Sequence, residues 1–215
     1  MLRAAIEIAD SSGIESLTMR RLAEELGAEA MSLYYYVASK EELLDGIADA
    51  IVAEINDVVG TLDVPSAGAS WKAAVRQRIL SAREVMLRHR WAPRVLETRT
   101  NTSMAVLLYY NGLLGLMRDG GFSYDRIHHA LHALGSRALG FAQEMFDPSG
   151  GGTSDEETAA ALQSMASQIP HLVAMFMEVA HDDPDSTLGW CDDQTEFEFG
   201  LDLLLDGLDE MRDQP

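Results

Sequence analysis

Cysteine is almost missing from this chain: Cys191 is the one thiol in 215 residues, and alone it can neither close an internal disulfide nor supply the thiolate set of a zinc site. That scarcity, with Glu7 and Asp10 standing where a removable leader would need apolar residues, leads us to expect a cytoplasmic protein. Long hydrophobic runs are also lacking. The longest uncharged stretch, Thr100 to Met117, carries Asn101, Thr102, Ser103 and Asn111 and reads as a buried helix of a soluble fold, with no membrane as partner. Positive charge is short: 16 Lys and Arg against 35 Asp and Glu leave a formal charge of -19, so any contact with nucleic acid must be local. Strand signals are absent, since no segment alternates polar and apolar residues between hairpin-type turns.

What remains is an ordinary globular composition, 47% apolar and 24% charged, dominated in its long segments by Ala, Leu, Met and Glu. We therefore expect an all-α fold. Breaks rich in Gly, Pro, Ser or Asp fall at Gly60 to Ser70, Asp119 to Ser123, Asp147 to Ser154 and Asp182 to Gly189. Charge is unevenly placed. Positions 71 to 99 hold eight basic and two acidic residues, whereas positions 147 to 215 hold one basic residue against seventeen acidic ones. Two segments carry heptad stripes, Ile127, Leu131, Leu134, Ala138, Phe141 and Met145 in one and Phe197, Leu201, Leu204, Leu208 and Met211 in the other. The period fixes a helix-packing seam and leaves open whether it closes inside one chain or against a second copy.

The first fifty residues are the most informative. Met1 to Ser12 reads as an amphipathic helix with Leu2, Ala5, Ile6 and Ala9 on one face, stopped by Gly13. Thr18 can cap a short second helix whose Leu22, Ala23 and Leu26 face inward while Arg20 and Arg21 stay outside, and Gly27 ends it. A third helix follows almost at once, which is the spacing of a helix-turn-helix. From Glu29 to Tyr36 only Leu33 and Val37 are spaced to face a core. Met31, Ser32, Tyr34 and Tyr35 are left outward, and DNA accounts for that exposure, because hydroxyls reach phosphates and Ser or Met can meet base edges. The plain alternative is a sticky or buried aromatic cluster. Ser39 and Glu42 form a capping box for a fourth helix through about Val59, with Lys40 at a start suited to hold a phosphate.

The run from Gly13 to Gly27, GIESLTMRRLAEELG, followed by Ser32-Leu33-Tyr34-Tyr35-Tyr36-Val37 and Ser39-Lys40-Glu41-Glu42-Leu43-Leu44, resembles the DNA-binding domain of the TetR family of bacterial repressors. Further segments, including Ser70-Trp71, Gly121-Phe122-Ser123, Ala130 to Gly135 and Phe199-Gly200-Leu201, are similar to the C-terminal domain of the tetracycline-repressor branch. The resemblance implies a helix-turn-helix DNA-binding domain at 1–46 and a ligand-binding and dimerisation domain at 47–215. It implies base contacts from Arg20, Glu29, Ala30, Met31 and Ser32 and phosphate contacts from Thr18, Tyr34, Tyr35 and Lys40. It favours the homodimer for the heptad stripes, through Leu131, Leu134, Ala138, Phe197, Leu201, Leu204 and Leu208. At the branch's drug and magnesium positions stand Asn56, Arg78, Ala82, Leu96, Leu113 and Glu144. Leu96 and Leu113 replace a metal histidine and a drug-contacting glutamine, so the expected inducer is more apolar than tetracycline with magnesium, with an acidic group that Arg78 could meet.

Other features carry the plainer reading. His128 and His132 share a helix face but lack a third ligand at motif spacing, so no metal is expected. Gly150-Gly151-Gly152 lacks the following Lys-Ser of a phosphate loop. No catalytic constellation stands out and no cofactor is implied. The expected function is a ligand-responsive repressor that binds double-stranded operator DNA as a homodimer, the alternative being a binding module on the same scaffold with little affinity for DNA. Positions 1 to 55 give that alternative its weight, because they hold four basic residues against eleven acidic ones.

Overall fold

The computed structural model of the protein describes residues 1–62, 70–99, 102–139, 164, 166–171, 173–174 and 193–212. Every regular element among these residues is helical. α1 (Leu2–Ser12) ends at Gly13, whose φ of 79° suits glycine alone, and a single 3-10 turn (Ile14–Ser16) leads to α2 (Met19–Glu25). Thr18 caps α2 by accepting the Arg21 amide at 3.1 Å. Gly27, at φ 63°, then turns the chain into α3 (Ala30–Leu33), which has no side-chain cap at Glu29. Two sequence expectations need correction. The buried face of α1 is Ala5, Ile8 and Ala9, with Leu2 exposed and Ile6 half-buried, because α1 rests on α4 along the 5-8-9 stripe. Leu26, expected inside, is exposed at the helix end where the chain turns away.

α4 (Lys40–Gly60) begins as the capping box requires: Ser39 Oγ accepts the Glu42 amide at 3.1 Å. Its reciprocal bond lands one residue early, since Glu42 Oε2 accepts from the Ala38 amide. Leu43, Ile47, Ile51, Ile55 and Val59 recur every four residues along α4 and are all buried. That stripe is the spine of one apolar core, which takes in Leu17, Leu22 and Leu33 from the N-terminal helices and Val85, Trp91, Ala92 and Val95 from later ones. The expected division at 46/47 thus falls in mid-helix, within a continuous core, and the packing unit that contains it runs from residue 1 to 139 with 205–215 added.

α5 (Trp71–Arg88) and α7 (Met104–Asp119) start on serine caps, Ser70 and Ser103, and α6 (Ala92–Glu97) starts with Pro93 in its first turn. Between α7 and α8 (Tyr124–Leu139) the expected break is present. Gly121 takes φ 95°, and a Cβ on Gly120 would stand 2.6 Å from Trp71 Cβ. Trp71 in turn packs edge-on against Phe122 at 4.6 Å and donates from Nε1 to Asp209 of the last helix, α9 (Asp193–Met211), at 3.1 Å. The first part of α9, to Leu204, belongs to a second packing unit that also holds 140–192. The expected breaks at 147–154 and 182–189 lie outside the described residues.

Candidate functional site

Two places in the first unit combine unusual exposure or enclosure with polar chemistry. The first is the surface around α3. Leu33 and Val37 anchor it in the core, and that anchoring turns Met31, Tyr34, Tyr35 and Tyr36 outward, Tyr35 being 90% exposed. Tyr36, not among the residues expected at this site, is more exposed than Tyr34, since the turn continues past the last α-helical residue. Glu29 and Ala30 open the helix, Glu29 exposed and Ala30 half-buried against the core. The Ser32 hydroxyl donates to the Glu29 carbonyl at 2.7 Å and so presents its lone pairs outward. Thr18 Oγ is occupied as a cap acceptor but keeps its proton to donate. Arg20 is exposed and paired with Glu24 at 3.0 Å, while Lys40 is exposed at the first turn of α4, beside its amides. The residues expected to touch DNA, except half-buried Ala30 and Ser32, are therefore exposed together around one helix-turn-helix.

Behind this surface the acidic N-terminal region meets the basic run at 88–99. Asp10 of α1 accepts from Trp91 Nε1 at 2.7 Å and lies 2.8 Å from His89 Nδ1. Glu54 pairs with Arg88 at 2.6 Å and faces His89 Nε2 at 3.4 Å. Glu15 pairs with Arg94, and Glu41 and Asp45 pair with Arg99 at 2.9 and 3.2 Å. Five of the eleven acids in positions 1 to 55 thus point into a joint with the helices that follow. These pairs are not equal. Arg94 and Glu15 are both largely exposed, so water screens them, whereas Trp91 is buried and would lose its acceptor with Asp10.

The second place is a cavity of about 220 Å³ bounded by α4 to α8. Its wall is largely apolar, with Ala48, Val52 and Ile55 from α4, Ile79, Ala82 and Met86 from α5, Leu96 from α6 and Val106 and Leu113 from α7. Leu131, Leu134 and Gly135 of α8 also line it. Polar groups enter as Asp45, Asp49, Arg83, Arg99, Thr102, Ser103, Tyr109 and Tyr110. An engineered apolar cavity of about 150 Å³ accepts benzene, so this one has room for a compact ring compound.

Of the residues expected to hold ligand, Ala82, Leu96 and Leu113 line the cavity, and Glu144 lies outside the described residues. Asn56 and Arg78 are engaged elsewhere: Asn56 Nδ2 donates to the Ala105 carbonyl at 2.9 Å, and Arg78 donates to the Tyr109 carbonyl at 3.0 Å. The Arg78 guanidinium also lies 4.9 Å from the Tyr109 ring centre, in a slot that exists because position 112 is glycine, where a Cβ would fall 2.5 Å from it. Burial lowers the Arg78 pKa from its ordinary value, with Tyr109 opposing the shift. Burial pushes the Tyr109 phenol up to about 12, against the pull of Arg78. The cavity cations are instead Arg83, which is buried, and Arg99. Sequence reasoning missed both, and the only signal for them was the basic run itself.

The expected dimer residues are mostly covered before any second copy arrives. Leu134, Phe197, Leu201 and Leu208 are buried in the single chain, Leu131 and Leu204 are half-buried, and the side chain of Ala138 lies outside the described residues. The most exposed large apolar groups of α9 are Phe199, at 63%, and Leu203, at 59%, with Met211 less so. His128, His129 and His132 lie on the exposed face of α8, the rings of His128 and His132 4.7 Å apart and edge to face. Among the described residues no three metal-ligating side chains cluster, and no helix is long and apolar enough to cross a membrane.

Comparison with known proteins agrees with this architecture. Residues 1–47 match the family model of bacterial regulatory proteins of the tetR family, and residues 64–212 match the tetracyclin repressor-like C-terminal domain. The class D tetracycline repressor protein of Escherichia coli is 30% identical over 213 residues, covering 97% of this chain and 87% of its own. A crystal structure of a possible TetR family transcriptional regulator from Streptomyces coelicolor A3(2) superposes with a TM-score of 0.75 at 30% identity, covering 98% of this chain and 97% of that one. The Streptomyces coelicolor TetR family protein ActR, solved in complex with actinorhodin, gives a TM-score of 0.75 at 25% identity, over 99% of this chain and 96% of that one.

Proposed function

Because the chain belongs to the TetR family of bacterial regulators, we propose that it is a transcriptional repressor whose grip on operator DNA is released by a small molecule bound in the α4–α8 cavity. The observation that carries this reading is the outward set of Met31, Tyr34, Tyr35 and Tyr36 on a turn whose own core contacts are already satisfied by Leu33 and Val37. Such a turn sits in a major groove, with Arg20, Glu29, Ala30, Met31 and Ser32 toward bases and Thr18, Tyr34, Tyr35 and Lys40 toward phosphates. The operator is double-stranded DNA, read by two copies of the chain.

A homodimer supplies the second reading turn. Its apolar contact comes from the outer face of α9, at Phe199 and Leu203, because the stripe of Phe197, Leu201 and Leu208 is already buried in one chain. The inducer in this reading is a compact ring compound, which the largely apolar wall and the volume support. That ActR was solved with actinorhodin, a ligand of that protein, supports a cavity ligand here without naming it.

Fluorescence anisotropy with duplex DNA flanking the protein's own gene tests the proposal. Saturable binding that weakens about tenfold in Tyr35→Ala, with an unchanged melting temperature, is the expected result; one such phenol-to-phosphate contact is worth about 1.4 kcal/mol by the tenfold rule. Binding indifferent to Tyr35→Ala, or none to any such duplex, would leave a ligand-binding module without a DNA function.

A further inference from the structure

Arg99 sits where α6 gives way to the approach to α7, its side chain only 14% exposed, and it lines the cavity. Its guanidinium has two working edges. Nη1 is held by α4, at 2.9 Å from Glu41 Oε2 and 3.2 Å from Asp45 Oδ1. On the other edge Nη2 donates to the Thr98 hydroxyl at 3.0 Å, and Nε is buried with no partner among the described residues. Buried N–H groups without an acceptor are rare in folded proteins, and because Arg99 is one of the residues that line the cavity, a ligand there is the acceptor within reach of its side chain. Nε and Nη2 together form the side-on fork that grips a carboxylate through two parallel bonds, and Thr98 offers only a neutral oxygen in competition.

We propose that the cavity takes a compact aryl carboxylate, received by the Nε–Nη2 edge of Arg99, and that Arg99 passes its arrival to α4 through Glu41 and Asp45. The proposal rests on the reading of the cavity as the inducer site and adds the chemical class of ligand and the residue that selects it. The ring lies against Val52, Leu96 and Leu113, for which the volume suffices. Other charges on the wall sharpen the choice. Asp45 and Asp49 repel a carboxylate placed anywhere but on the guanidinium, and Arg83 offsets part of that repulsion. Arg78 also has a buried Nε without a partner, but it does not line the cavity, and the close approach of Gly112 leaves its guanidinium no room for a ligand.

The link to α4 is short. Glu41 follows Lys40, the expected phosphate contact, and Asp45 is one turn further along the same helix. An anion on one edge of Arg99 weakens its attraction for the two carboxylates on the other, so ligand binding loosens the hold of α6 on the helix start that faces DNA.

Isothermal titration calorimetry of the full chain with 1-naphthoate, and with 1-naphthamide as its neutral counterpart of the same shape, tests this. The acid is expected to bind at least ten times more tightly than the amide. Arg99→Gln should bring the acid down to the affinity of the amide and leave the amide unchanged. Arg99→Lys, which keeps the charge and lacks the fork, should lose most of the preference, and it serves if Arg99→Gln melts early. Equal affinity of the two probes, absence of binding by both, or a preference that survives in both variants overturns the proposal. Anisotropy with operator DNA separates the two readings: without DNA binding the repressor reading fails while the calorimetric preference stands, whereas DNA binding with no preference for the acid sinks only this inference.

Discussion

The turn that presents Tyr35 and the joint that engages Asp10 both draw on the N-terminal helices and use their surface in opposite ways. Around α3 the exposed groups are neutral phenols, a thioether, the carboxylates of Glu24, Glu25 and Glu29 and a few cations at helix starts. Behind it, Asp10, Glu15, Glu41, Asp45 and Glu54 face Arg88, His89, Trp91, Arg94 and Arg99 across a helix boundary. Five of the eleven acids in positions 1 to 55 are thus turned toward the joint. A count of charges along positions 1 to 55 therefore mixes the joint with the outer face, where Glu7, Glu24, Glu25, Glu29, Glu42 and Asp49 are exposed. The lesson is that net charge per segment becomes informative only when the direction of each group is known.

If the two regions share one core, as the stripe on α4 indicates, they must fail together. Ile47→Ala empties a fully buried site and is expected to cost about 2–5 kcal/mol, in a single urea transition followed by both tyrosine and tryptophan signals. Two transitions would show that the reading turn and the joint fold separately. The cavity wall offers a test by pH. Tyr109 stays protonated in the folded chain up to about 12, whereas the unfolded chain ionises near its ordinary value of 10.0. Stability from this group is complete below pH 10 and declines between about 10 and 12, by roughly 2–3 kcal/mol in all. Tyr109→Phe should remove that part of the alkaline loss, measured by denaturant midpoints on either side of pH 10.

Asp10→Ala leaves the Trp91 indole N–H and one nitrogen of His89 without their acceptor. A loss of about 1–3 kcal/mol is expected, read as a lowered melting temperature, with Glu15→Ala as the control that changes little because its pair with Arg94 is exposed. Equal effects of the two would erase the distinction drawn between the sheltered and the open parts of the joint. The smallest effect belongs to the outer face. Lys40→Ala should lower the magnitude of the salt slope for operator binding by about 2, one cation in each of two copies at roughly 0.9 per phosphate, with little change in folding.

Much of the reading turn was legible in the sequence, because its signals are local. Thr18 and Ser39 cap where their spacing says, Gly13 and Gly27 take the positive φ that ends a helix, and the separation of Leu33 from Val37 predicts the outward Tyr34 and Tyr35 but not Tyr36. The cavity was legible in its apolar wall, at Ala82, Leu96 and Leu113, and not in its polar part. Arg78 was the cation expected there, whereas Arg83 and Arg99 line the cavity, since Gly112 opens a slot that holds Arg78 against the Tyr109 carbonyl. The heptads of α8 and α9 mark apolar stripes, but Phe197 and Leu201 are already covered in one chain, Leu131 and Leu204 are half-buried, and Phe199 and Leu203 remain outside. Periodicity gives the angle between residues on a helix and leaves open which neighbour each face meets.

The order of caps, glycines and apolar repeats by itself determined an all-helical chain with a helix-turn-helix at its start, because those preferences act over one or two turns of backbone. Which acid meets which base, which arginine borders the cavity and which face of α9 is left bare were decided by tertiary packing. Those pairings join residues as far apart as Asp10 and Trp91 or Asp45 and Arg99, and contacts at that separation exist only once the core on α4 has fixed the angle of every helix around it.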